Sequence, residues 1–232
     1  MKRIVIKGGK RLEGEIIVSG SKNASLPILA ACILNKNKIT LYNVPKIEDV
    51  STTFEILKSL GAKVQRNNNK VIVNCRNINS TTIPDELMRK LRSSVIIAGA
   101  IIGRKGKVSF TYPGGCDIGS RPIDLHLSSF KKLGIKISEN SRYIECKCDK
   151  IVSNEITLDF PSVGATENII LASVLGKHEV IINNAAIEPE IDDLVSFLNK
   201  MGANISMVMP GSIRIIGVDT LKETSYRIRQ IY

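Results

Sequence analysis

A cysteine, three glycines and an arginine stand between a strand and a helix in Tyr112-Pro-Gly-Gly-Cys-Asp-Ile-Gly-Ser-Arg-Pro-Ile-Asp-Leu-His126. Glycines let backbone N–H groups come close to a ligand, and a helix start attracts anions. Pro122 fits a first helical position, where no N–H is needed, and Asp124 suits the helix dipole. Cys116 therefore sits where a thiol pKa falls, near Arg121 and a helix start. Such a loop offers a reactive thiol beside an anion cradle. The plainer alternative is a glycine turn carrying an idle thiol.

Composition narrows the classes around that loop. At 232 residues and 43% hydrophobic content the chain can bury a large core. No apolar run reaches membrane-spanning length, and Met1-Lys2-Arg3 leads into strand-like alternation rather than a signal peptide, so no membrane partner is expected. Five cysteines, an odd number, point to reduced thiols in a cytoplasm. Cys146 and Cys148 would share one strand face as half a metal site, but with two histidines in the chain and no second close cysteine pair, strand packing is the better reading. The net charge of +11 suggests an anionic partner, yet Trp is absent and aromatics are 4%, so stacking platforms for nucleic acid are scarce. A pocket for a small polyanion would use only a few of these charges.

The elements that must position the loop come in threes. Ile39-Thr-Leu41, Val108-Ser-Phe110 and Val180-Ile-Ile182 are similar strands, set at nearly equal offsets along the chain. Each follows an apolar helix: Asn23 to Leu34, Ser93 to Ile102, Ala165 to Leu175. Each precedes a second helix that ends in a matched signal: Ser59-Leu-Gly-Ala-Lys63, Lys132-Leu-Gly-Ile-Lys136, Lys200-Met-Gly-Ala-Asn204. Two short strands close each unit, such as Val71-Ile-Val73, Tyr143-Ile-Glu145 and Ile213-Arg-Ile215. The second helix is amphipathic, with Ile191, Leu194, Val195, Leu198 and Met201 in one stripe and Asp192, Asp193 and Lys200 off it. The first is apolar nearly all round and must be buried on every side. The predicted architecture is an inside-out α/β barrel of three βαβαββ repeats, about 21–79, 80–152 and 153–221, with pseudo-threefold symmetry. Residues 1–20 read as two further strands, Ile4-Val5-Ile6 and Glu15 to Ser19.

The same offsets place Asn23, Arg92 and Gly164 at equivalent starts of the buried helices. Parallel helices about a threefold axis would aim their positive ends at one side, with Lys22 and Arg92 adding full charges. Ser21 and Ser162 also read as simple helix caps, which is compatible with anion binding. Spacing singles out the opening loop once more. The stretch from Leu41 to Leu60 is as long as that from Ile182 to Met201, but the stretch from Phe110 to Leu133 is longer by four, and the extra residues fall around Cys116.

Ser19-Gly-Ser-Lys-Asn-Ala-Ser-Leu-Pro27, Pro113-Gly-Gly-Cys-Asp-Ile-Gly-Ser-Arg-Pro-Ile-Asp-Leu-His126 and Ser162-Val-Gly-Ala-Thr-Glu-Asn168 together closely resemble the UDP-N-acetylglucosamine 1-carboxyvinyltransferase family, enolpyruvyl transferases of peptidoglycan synthesis. The resemblance runs from residue 1 to about 228. It implies an enolpyruvyl transferase-like fold and transfer of enolpyruvate from phosphoenolpyruvate to the sugar 3-hydroxyl of UDP-N-acetylglucosamine, with release of phosphate and no metal or organic cofactor. By the resemblance Lys22 contacts phosphoenolpyruvate, Asn23 the UDP-sugar, and Arg92 and Arg121 phosphate and substrate. Cys116 matches the cysteine that forms a covalent phosphoenolpyruvate adduct and reacts with fosfomycin-type epoxides. Arg121, Pro122, Ile123, Asp124 and Leu125, with Ser162, Val163 and Gly164, match nucleotide-binding segments.

Members of that family have two such domains, with the general-base aspartate and further arginines in the second. Here residues 21–228 match one domain, and residues 1–20 and 229–232 match strands and tail of the other. The chain thus reads as a truncated, frameshifted or separately encoded half, which leaves room for a complementing second-half chain as partner. The alternative is a module that holds the UDP-sugar without turnover.

Overall fold

Three βα-rich units wrap their apolar helices inward in the computed structural model, which describes residues 3–114, 123–140 and 142–230. Cys116, Arg121 and Pro122 lie outside the described residues. The first unit contains α1 (Lys22–Ala31) with a 3-10 turn (Cys32–Leu34), β1 (Lys38–Tyr42), α2 (Glu48–Ser59), β2 (Lys63–Asn67) and β3 (Lys70–Asn74). The second contains α3 (Asp85–Lys90), a 3-10 turn (Arg92–Val95), α4 (Ile96–Lys105), β4 (Lys107–Phe110), α5 (Asp124–Lys132), β5 (Lys136–Glu139) and β6 (Ile144–Lys147). The third contains β7 (Asn154–Thr157), α6 (Val163–Ser173), β8 (Glu179–Asn183), α7 (Pro189–Lys200), β9 (Asn204–Met209) and β10 (Ser212–Ile216), followed by β11 (Thr224–Arg227).

Symmetry is visible in the strand registers. Ile39 faces Val73, Val108 faces Cys146 and Val180 faces Ile215, each across an antiparallel pair. The middle closing strand thus starts at Ile144, one residue later than the expected Tyr143. Cys146 is buried in that strand, as strand packing required, and Cys148 lies just beyond it. No metal-binding group of His, Cys, Asp and Glu occurs among the described residues. The matched signals place Gly61, Gly134 and Gly202 just after α2, α5 and α7 with φ of +103°, +81° and +96°, the left-handed turn that ends a helix.

The sheets stay separate, ordered β11-β1-β3-β2, β4-β6-β5 and β7-β8-β10-β9. In the third, β7 runs parallel to β8; in the second, a single parallel bridge joins Thr82 to Ser109. The first unit takes its counterpart from the far end of the chain, because β11 runs parallel to β1 with Thr224 opposite Ile39. The strands expected at Ile4–Ile6 and Glu15–Ser19 do not form. Residues 3–20 carry no strand, and Ile4, Val5, Ile6, Leu12, Ile16 and Ile17 are exposed. A lone strand has no partner for its backbone, and β11 already occupies that edge of β1.

Inside, α1, α4 and α6 are buried along almost their whole length, as their all-round apolarity dictates. Helix α4 lies between the other two and approaches α6 closely. A Cβ on Gly99 would come within 2.4 Å of Asn168 Oδ1, and one on Gly103 within 2.6 Å of Leu171 O. One reading of the amphipathic stripe needs correction: Asp193, placed off the apolar face of α7, is fully buried. Tyr226 Oη donates to its Oδ1 at 2.6 Å and the Arg229 amide to its Oδ2 at 3.2 Å, so the chain end folds over it.

Candidate functional site

The three buried helices begin at one end of the fold. Ser21 and Ser162 cap α1 and α6, each accepting from the N–H three residues on at 3.3 Å. Asn23, exposed in the first turn of α1, donates to Glu190 Oε1 at 3.3 Å in the first turn of α7. Glu190 stands within electrostatic reach of Glu167 in the first turns of α6. From the start of α6, contacts lead on to α4. A Cβ on Gly164 would lie 2.8 Å from His126 Cε1, and burial, followed by the charge of Arg92 at the opening of the turn before α4, depresses the His126 pKa. The sequence-derived residues Lys22, Asn23, Arg92, Ser162, Val163 and Gly164 therefore sit around one end, together with Ile123, Asp124 and Leu125 at the start of α5.

Charges there are held in place rather than loose. Lys22 Nζ is 3.1 Å from Asp49 Oδ2, with the lysine side chain about half exposed. Asp49 and Glu190 are themselves repeat equivalents, in the second helices of units one and three. The repeat offsets that located Asn23 and Arg92 would also have found this acidic pair had they been applied to those helices. Glu167 is buried with Oε2 unpartnered, and enclosure, Glu190 and Glu188 together push its pKa well up.

His126 supplies what Gly164 lacks. Units one and two carry Asn23 and Arg92 at the equivalent position, while unit three has a glycine and the imidazole fills its space. Asn168 fixes that ring. Its side-chain nitrogen lies 2.7 Å from His126 Nδ1 and 3.2 Å from Val95 O, and its Oδ1 accepts from the Gly99 amide at 2.8 Å. Since the amide nitrogen can only donate, His126 Nδ1 accepts and the proton resides on Nε2. Burial, then the Arg92 charge, lower the His126 pKa to about 4, which agrees with this neutral tautomer. Both residues closed motifs singled out by sequence, but nothing in the spacing said they would meet.

The root of the lengthened loop is anchored to α3. Asp85 accepts from Thr111 Oγ1 at 2.7 Å and from Arg89 Nε at 3.0 Å, and these bonds hold its carboxyl below the usual range. Gly114 donates to Met88 O at 3.2 Å, and a Cβ there would meet Arg89 O at 2.5 Å. Units one and three place Asn43 and Asn184 in the left-handed conformation after β1 and β8, with side chains bonded to Ile228 O and Leu158 O. Unit two has Tyr112 at that position, its hydroxyl on Glu139 at 2.9 Å. The middle unit thus leaves the threefold pattern at Tyr112, before Cys116 is reached.

A three-unit α/β fold with its apolar helices inside is shared with solved enolpyruvyl transferases. The enolpyruvyl transferase NikO from Streptomyces tendae superposes with a TM-score of 0.83 at 18% identity, over 95% of this chain and 53% of its own. An EPSP synthase from Acinetobacter baumannii gives 0.73 at 16%, over 95% and 51%. The chain belongs to the EPSP synthase (3-phosphoshikimate 1-carboxyvinyltransferase) family, whose model matches residues 6–230. It is 50% identical over 228 residues to UDP-N-acetylglucosamine 1-carboxyvinyltransferase 2 of Caldanaerobacter subterraneus subsp. tengcongensis, covering 98% of this chain and 55% of that protein. A protein of the same name from Clostridium tetani is 49% identical, covering 96% and 54%. The chain spans about half the length of these curated relatives. Their names agree with the resemblance carried by the three motifs.

Proposed function

We propose that this chain forms one wall of the cleft of an enolpyruvyl transferase that moves enolpyruvate from phosphoenolpyruvate to the 3-hydroxyl of UDP-N-acetylglucosamine, the first committed step of peptidoglycan synthesis, in the cytoplasm. The observation that carries this reading is the gathering of Lys22, Asn23 and Arg92 at the buried-helix starts, in a chain half identical to proteins of that name. Both substrates are polyanions, and helix starts with fixed cations suit them. In this reading Lys22, Arg92 and Arg121 hold phosphoenolpyruvate and phosphate. Asn23 exchanges Glu190 for the sugar, and Ser162 to Gly164 with Arg121 to Leu125 hold the nucleotide. Cys116 is the covalent or acid group, and no metal or cofactor takes part.

The facing wall and the proton acceptor for the sugar hydroxyl belong to a second half. Losing a general base alone costs about a hundred- to ten-thousandfold in rate. The test is calorimetry with UDP-N-acetylglucosamine beside a phosphate-release assay with both substrates, on the 232-residue chain and again with a second half supplied. Binding without turnover, then turnover on complementation that Cys116→Ala removes, is the expected result. Robust turnover by the chain alone would overturn the reading of the cleft. Binding with no turnover even after complementation would favour the second reading, a UDP-sugar-binding module, for which the half-length match speaks.

A further inference from the structure

At the opposite end, where the buried helices finish, the threefold repeat breaks a second time. By the same repeat offsets Asn35, Arg104 and Gly176 are equivalent, each at or just beyond the end of a buried helix. Asn35 closes its cleft by donating to Lys222 O at 2.7 Å, beside Met201 Sδ. Arg104 closes the next, donating to Ile33 O at 2.6 Å and Arg76 O at 3.2 Å. Gly176 has no side chain to send across. Between the ends of α4 and α6 there is instead an open cavity of about 550 Å³. Lys105, Lys150, Lys177, His178, Asp149 and Cys148 line it.

We propose that this cavity binds a small phosphate-bearing anion at a site separate from the substrate cleft. Its volume falls in the range of small-molecule sites, about 300–1,000 Å³. Lys105, Lys150 and Lys177 are exposed, and among the described residues none of them forms an ion pair. The negative helix ends oppose an anion, but only by about half a charge each. With Arg104 turned to the Ile33 and Arg76 carbonyls of the next cleft, three lysines against Asp149 leave two positive charges, so about one remains after both helix ends are counted. A recess of this size fits a phosphate group better than an extended polymer. The cavity also lies clear of the α1 start, where Ser21 N donates to Arg229 O at 3.1 Å and residues 3–20 leave the fold.

Cys148, partly buried in the cavity wall, provides the readout, because Cys32, Cys75 and Cys146 are buried elsewhere. The experiment follows alkylation of Cys148 by peptide mass spectrometry, with inorganic pyrophosphate or with chloride at matched ionic strength. A site of millimolar Kd should slow labelling about tenfold at about 10 mM pyrophosphate. Lys150→Glu with Lys177→Glu, both at exposed positions, should abolish the protection while thermal unfolding and Cys116 labelling stay unchanged. Absence of protection in the wild-type chain would overturn the proposal, as would equal protection by chloride. Protection that survives the double substitution would also overturn it, since the lysines would then not be the ligands.

Discussion

His126 shows how much a single ring can report. Neutral in the fold with a pKa of about 4, it returns to about 6.5 on unfolding. Between these values the unfolded chain binds more protons, so the histidine's contribution to stability is present above pH 6.5 and lost as pH falls towards 4. The shift amounts to about 2–3 kcal/mol after allowance for partial solvent access. His126→Gln should flatten the stability profile across that window in denaturant titrations at stepped pH. An unchanged slope would mean the ring is not held neutral. Thiols make a second test at this scale. Burial pushes Cys75 and Cys146 up to about 12 and raises Cys32 and Cys148 as well. Cys116, placed by sequence beside an arginine and a helix start, should therefore be alkylated first under brief limiting reagent. Equal labelling of Cys75 would sink that ranking.

Helices carry the next level of the argument, and here the sequence was legible in unequal measure. The buried helices α1, α4 and α6 follow from their all-round apolarity and α7 from its apolar stripe, and the matched Leu-Gly or Met-Gly signals gave the helix ends. Two things were not legible. The short helix α3 has no apolar stripe of its own and forms where Asp85 ties Thr111 to Arg89. The Asn168 junction depends on three segments far apart in sequence, so no local pattern encodes it. That junction makes a sharp prediction. Asn168→Ala leaves the Gly99 amide unpaired in the core and frees the His126 ring, and should cost about 2–4 kcal/mol in chemical denaturation. Gly99→Ala should cost a similar amount by collision with Asn168, and the double substitution less than the two losses combined. Strict additivity would show that the two positions do not share a contact.

At the scale of the whole molecule, the repeat offsets foretold the threefold plan but not how the ring of units closes. The alternation in residues 1–20 predicted two strands, which the family resemblance assigned to a second domain, and nothing in the offsets said what would pair with β1. In the fold β11 takes that edge, and Asp193 locks it down through Tyr226 and Arg229. The two chain ends thus have opposite energetic weight. Residues 3–20 bury almost none of their apolar side chains, with Ile4, Ile6 and Ile17 each more than 85% exposed, so they contribute little hydrophobic stabilisation. They are also an unpaired, β-prone apolar segment, the kind that recruits other chains. Removing residues 1–18 should leave the unfolding free energy within about 0.5 kcal/mol while reducing aggregation in light scattering. Removing residues 223–232 strips β1 of its parallel partner and leaves the Asp193 carboxylate buried and unpaired, which should cost about 3–5 kcal/mol or prevent folding. A large loss from the first deletion, or tolerance of the second, would mean that the first unit is completed from the front of the chain and that its closure by β11 is wrong.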